Sequence, residues 1–191
     1  MTTGEKIASD LFMMLTHAQV DMEMWIAMRY RRQGDEAVAM LNRRYARFYS
    51  VAETALFNSV IVLLYSVFEK RTDTVNFHSL LATFEATSDP AFLNKLDKSF
   101  KEMKKTWIRI SLLRNNVVGH QSLELSDKQK ELAAGMSIGD MRTMLEACKE
   151  LLFEIGTKVQ DRHFNFNITG TKAFDNLMDD LTAFTAMKYG N

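Results

Sequence analysis

The chain has 191 residues, 47% of them hydrophobic, with 24 basic and 24 acidic side chains. It can therefore bury a sizeable core, and no bulk charge draws it to a polyanion, so any nucleic-acid surface must be a local patch. One proline and eight glycines are too few for the turns of a β-sandwich or barrel, and 13 methionines among leucines and alanines favour helices.

A first helix is expected over residues 5–31. Its apolar stripe is Ile7, Leu11, Met14, Leu15 and Ala18, continued by Met22 and Trp25, and Gly34 marks the break. A second helix is expected from Asp35 to Glu69, with Ala52, Leu56, Val60, Leu63 and Val67 on its core face. Arg43, Arg44 and Arg47 in its first half read as a solvated basic face. The most apolar run, Val60 to Phe68, is short of the roughly 20 residues a membrane span needs and reads as a helix buried on most sides. Arg71 to Asn76 is a polar loop, followed by a short helix from Ser79 to Ala86.

Asp89 and Pro90 suit the N-cap and first turn of the next helix, expected to run to about Val118. At about 100° per residue, Leu96, Phe100, Met103, Trp107 and Ile110 share its core-facing side. The outer face carries Lys98, Lys101, Lys105 and Arg109, interrupted by Asp97 and Glu102. These four are candidate phosphate contacts, although a solvated face is the better reading of them. Ser126 to Gln129 has capping-box spacing, and Gly135 can end that short helix. A further helix from Ile138 to Gln160, started at Ser137, is lined by Leu145, Cys148, Leu152 and Ile155. Asp161 to Gly170 is loop-like, and a last helix from Lys172 to Met187 carries Phe174, Leu177, Met178, Leu181 and Phe184. The fold class is all-α, with four main helices plus shorter ones.

The most site-like stretch is LRNNVVGH, Leu113 to His120. Arg114 falls on the core-facing stripe, where a guanidinium rarely sits without a partner. Gly119 suits a left-handed C-terminal cap, leaving His120 just past the helix end. A cation, the amides of Asn115 and Asn116, and an imidazole thus converge within seven residues. The arginine-to-histidine spacing alone is weakly specific, because Arg71 and His78 also satisfy a loose version of it. Context separates them, since only Arg114 lies on an apolar helix face and precedes an asparagine. Asn116 lies on the lysine face, and His17 and His163 have no companions. Cys148 sits on an apolar face and reads as core rather than nucleophile. No His, Cys, Asp or Glu cluster has metal-ligand spacing, and there is no phosphate loop, dinucleotide fingerprint or nucleophile elbow. No cofactor is expected. A lone cysteine and no secretory signal point to a reducing, cytoplasmic compartment, in which the sequon at Asn167 has no use.

LRNNVVGH at the end of a long helix resembles the signature of the HEPN domain superfamily, and in particular its AbiU-like abortive-infection branch. The resemblance covers about residues 5–160, with 161–191 a C-terminal loop and helix packed on the same domain. It implies a HEPN-like helical bundle that forms a homodimer, with a metal-independent endoribonuclease site at the dimer cleft. Arg114 and His120 match the family's catalytic pair, and Asn115 matches its frequent polar residue after the arginine. RNA is then the substrate and DNA is not. The resemblance also implies a toxin or antiviral effector with an antitoxin or nucleotidyltransferase partner. Ser122 stands where some HEPN toxins carry the tyrosine that such a transferase modifies, which argues against that form of control. Many HEPN proteins have lost activity. A silent module that binds RNA, a nucleotide or a protein through the same cleft therefore stays open beside the enzyme.

Overall fold

The computed structural model describes residues 2–30, 39, 43–85, 88–115 and 135–189. They form six helices, α1 (Thr3–Tyr30), α2 (Ala46–Ser66), α3 (Phe77–Ala82), α4 (Pro90–Leu113), α5 (Ile138–Val159) and α6 (Gly170–Tyr189). No described residue lies in a strand, so the fold is all-α as the composition requires. The helix expected after Ser126 lies outside the described residues.

The chain divides into two compact units. The first comprises residues 1–18 and 61–166. Its core takes Leu11 and Leu15 from α1, Ile61 and Leu64 from α2, Phe77 and Leu80 from α3, Leu96 and Ile110 from α4, and Leu145, Leu152 and Ile155 from α5, all fully buried. Each such side chain contributes roughly 1.5–3 kcal/mol by leaving water. The α5 stripe is the one its periodicity predicts, Cys148 included. The Cys148 sulfur lies 4.0 Å from that of Met103, and full burial pushes its thiol far above the ordinary range. It is core, not a nucleophile.

Two helices depart from expectation. Residues 31–38 and 40–42 lie outside the described set, and α2 itself begins at Ala46 rather than near Asp35. Of the expected core face Val60 is buried, and so is Val67 just past the helix end, but Ala52, Leu56 and Leu63 are only half-buried, and Ile61 and Leu64 complete the buried row. From Val60 to Phe68 nearly every residue is apolar, so periodicity could not choose a face. The Val60–Phe68 run itself is buried or half-buried throughout, as expected, whereas the start of the helix is open to solvent. Phe48 and Val51 are 72% and 63% exposed. By length and composition alone, α2 is also the one described helix apolar enough to cross a membrane, although the Val60–Phe68 run is too short for one. The third helix starts at Phe77, two residues before the predicted Ser79, because the fully buried Asn76 caps it. Its Oδ1 accepts from the Ser79 N–H at 2.8 Å, and its Nδ2 donates to the carbonyls of Arg71 at 2.7 Å and Thr74 at 3.1 Å. A residue that reads as loop polarity is thus the buried tie that closes the loop.

The second unit comprises residues 19–60 and 167–191. Ala27, Phe174 and Met178 form its core, with Met28, Tyr49 and Leu181 packed against them. Trp25 packs on Phe57 at 5.1 Å between ring centroids. The start of α6 is held by Glu23, whose Oε2 accepts from the Thr169 hydroxyl at 2.7 Å and the Gly170 N–H at 2.8 Å. A carboxylate there accepts from a first-turn N–H for which no preceding turn supplies a carbonyl. Gly170 sits so close to α1 that a Cβ would collide with the Val20 carbonyl oxygen. Backbone cannot yield as a side-chain tip can. Gly170→Ala is therefore expected to destabilise the protein by about 1–3 kcal/mol, measured by urea denaturation. An unchanged midpoint would mean that α6 shifts freely.

Candidate functional site

The α4 helix begins where the sequence places it. Asp89 is the N-cap, its Oδ1 accepting from the Ala91 N–H at 3.1 Å, and Pro90 occupies the first turn. Phe92, Leu96, Met103 and Ile110 are buried, while Phe100 and Trp107 are half-buried. The α-helix ends at Leu113, and Arg114 is its C-cap, donating its backbone N–H toward the carbonyls of Ile110 and Ser111. Arg114 and Asn115 lie in a π-helical turn, a wider turn that often accompanies functional positions. Arg114 is thus at the C-terminal end of its helix. The expected extension to Val118, the Gly119 cap, Asn116 and His120 lie outside the described residues.

The partner that Arg114 requires is aromatic. Its Cζ lies 5.0 Å from the centroid of the Tyr65 ring, a cation–π contact worth about 0.5–2 kcal/mol. Tyr65 is itself held by Trp107, which stacks on its ring at 5.8 Å and 14° and donates its indole N–H to the Tyr65 carbonyl at 3.0 Å. Arg114 Nη1 also donates to Asn115 Oδ1 at 3.1 Å. No carboxylate among the described residues pairs with this guanidinium. Among the described residues it is oriented by a ring and a neutral amide, and its five-donor fork is of the kind that grips an anion.

Along the outer face of α4, Lys98, Lys101 and Lys105 are exposed. Lys101 pairs with Asp97 at 2.5 Å, and Lys98 lies 4.0 Å from Glu102. Arg109 is not on that open line. It is half-buried, 3.6 Å from Asp140, and its Nε has no hydrogen-bond partner. Asp140 in turn completes the capping box at Ser137 that starts α5. Its bonds from the Ser137 backbone and hydroxyl, helped by Arg109 and Lys105, hold its carboxyl below the usual range.

A family model described as AbiU2, of the HEPN class, matches residues 7–179. The chain belongs to the HEPN AbiU2 family. This bears out the resemblance read from LRNNVVGH, and the match extends past residue 160 into α6. Searches of curated proteins and of solved structures found no match.

For a HEPN chain, the other arginine–histidine pair is uninformative. Arg71 is exposed and forms a two-pronged ion pair with Asp73 at 3.0 and 2.7 Å, and His78 instead stacks on Phe100 at 5.7 Å. His17 is exposed, and His163 sits 3.5 Å from the Thr157 hydroxyl and beside the Phe153 ring. Among the described residues, no group of three His, Cys, Asp or Glu side chains is placed to hold a metal ion. The residue that sequence reasoning missed is Tyr65. The available signal was Trp107, a core-facing indole whose N–H needs an acceptor, and that acceptor is the Tyr65 carbonyl.

Proposed function

We propose that this HEPN chain is a metal-independent endoribonuclease acting as a toxin or antiviral abortive-infection effector in the cytoplasm. The observation that carries the reading is Arg114, a half-buried guanidinium at a helix end, held by Tyr65 and Asn115 and with no carboxylate partner among the described residues. Such a group can grip a phosphodiester and stabilise the extra negative charge that develops on it. Six residues on, His120 supplies a group that titrates near neutral pH. It takes the proton from a ribose 2′-hydroxyl, the 2′-oxygen attacks the adjacent phosphorus, and the bond to the 5′-oxygen breaks as that oxygen is protonated. One chain has one such histidine. A homodimer brings two together, so that one acts as base and the other as acid. Apolar side chains left in solvent fit a second copy of the chain, namely Ile108 near the end of α4 and, in the other unit, Phe48 and Val51 on α2.

Purified protein is expected to cleave single-stranded RNA in the presence of a chelator. The products should carry 2′,3′-cyclic phosphate and 5′-hydroxyl ends, and DNA, which lacks the attacking oxygen, should stay intact. Light scattering at micromolar concentration should give a dimer, whereas a monomer would remove the paired-histidine mechanism. RNA that binds but is never cleaved, over a range of substrates, would make the silent binding module the better reading.

A further inference from the structure

We propose that the pocket between α3 and α4 is a stacking subsite for one nucleotide of single-stranded RNA held at Arg114. The proposal rests on the ribonuclease reading for its substrate and goes beyond it in assigning a second place of contact. The pocket has a volume of about 250 Å³ and is lined by Phe68, Lys70, His78, Phe100, Lys104 and Trp107, with Asp97 and Lys101 at its rim. That is smaller than a drug-sized site and suits a single base.

Its walls are rings. Phe100 meets Phe68 edge-on at 5.4 Å and lies nearly parallel to the His78 imidazole at 5.7 Å. Partial burial and the charge of Lys70 hold that imidazole below its ordinary pKa, so at neutral pH it presents an uncharged face. The rim carries three lysines against one carboxylate. Asp97 is taken up by Lys101, which leaves Lys70 and Lys104 with no ion pair among the described residues. Flat faces for a base beside unpaired cations for a phosphate are the two parts of a single-strand binding site. Elsewhere on the α4 outer face Lys98 has its own acidic neighbour, and Lys105 does not line this pocket.

The pocket also joins the candidate site directly. Trp107 forms one of its walls and stacks on Tyr65, the ring that carries Arg114. Lys104 lies ten residues before Arg114 on one helix, about 15 Å along its axis. A strand gripped by its phosphate at Arg114 can therefore lay a base several positions away into the pocket.

The test uses the full-length wild-type protein and a 2′-O-methyl oligouridylate dodecamer, which cannot be cleaved because its nucleophile is blocked. Its affinity is compared with that of an abasic oligomer of the same phosphates. Loss of the bases is expected to weaken binding about 5- to 100-fold. Lys70→Glu with Lys104→Glu should weaken binding at least about tenfold. The control pair Lys6→Glu with Lys172→Glu, the same charge change at exposed lysines elsewhere, should change it less than about threefold. Phe100→Ala should abolish the preference for the oligomer with bases. If that variant does not fold, His78→Ala, at a residue outside the buried core, should reduce the same preference. Equal affinity for the two oligomers in the wild type, no binding of either, or equal losses in the two lysine pairs overturns the subsite. Cleavage of ordinary RNA is measured separately. Cleavage that persists while the pocket variants bind normally rejects the subsite and keeps the ribonuclease. Pocket-dependent binding without any cleavage does the reverse.

Discussion

Replacing His120 with alanine is expected to cut RNA cleavage by about 10²–10⁴-fold, the usual consequence of removing a general acid or base. Far-UV circular dichroism and thermal midpoint should stay at wild-type values, because the sequence spacing sets His120 off the apolar repeat of Leu96, Met103 and Ile110. The prediction is strict because the proposed mechanism gives the histidine two tasks and has the proposed dimer supply it twice. A mixed dimer with one His120→Ala chain would keep either base or acid but not both, so its activity should fall well below half that of the wild type. A His120→Ala preparation that cleaves at the wild-type rate would assign the activity to a contaminant or to another site. Unchanged 2′,3′-cyclic phosphate ends at a residual rate would mean that Arg114 alone still promotes attack by the 2′-oxygen.

The helices were legible because their periodicity is strong where one face meets a core and the other meets water. The α5 stripe and the Asp89–Pro90 start of α4 are of this kind, and both are found where patterning puts them. The buried row of α2 was not legible, because a run that is apolar on all sides carries no phase. Asn76 misled for another reason. Its side chain satisfies backbone groups brought near it only by the folded loop, and composition cannot distinguish such an amide from a solvated one. At the candidate site, the anomaly of Arg114 on an apolar stripe was visible, yet its partner was not. Tyr65 lies 49 residues earlier on another helix, and only packing brings the ring beneath the guanidinium. Arg109 shows the converse, since helical spacing aligns it with the lysines while Asp140 draws it inward.

Arg114→Ala is expected to reduce cleavage by about 10²–10³-fold, the scale of losing one donor to transition-state charge. Arg114→Lys should recover little of this, since an ammonium keeps the charge but not the planar fork that grips two phosphate oxygens. The structure limits the accompanying stability loss. No carboxylate among the described residues is orphaned when the guanidinium goes, so what disappears is mainly the contact with Tyr65. That should amount to about 1 kcal/mol, or about 2–4 °C in Tm for a chain of this size. A much larger drop would reveal a buried partner and recast Arg114 as structural. On the proposed mechanism Tyr65 is a positioning residue, and that role can be separated from simple packing. Tyr65→Leu keeps apolar bulk but removes the ring that aims the guanidinium, so kcat should fall about tenfold with KM for RNA nearly unchanged. Combined with Arg114→Ala, the same change should cost almost nothing further, because there is no longer a guanidinium to aim. Additive losses in the double variant would show that Tyr65 acts on activity by a route that does not pass through Arg114.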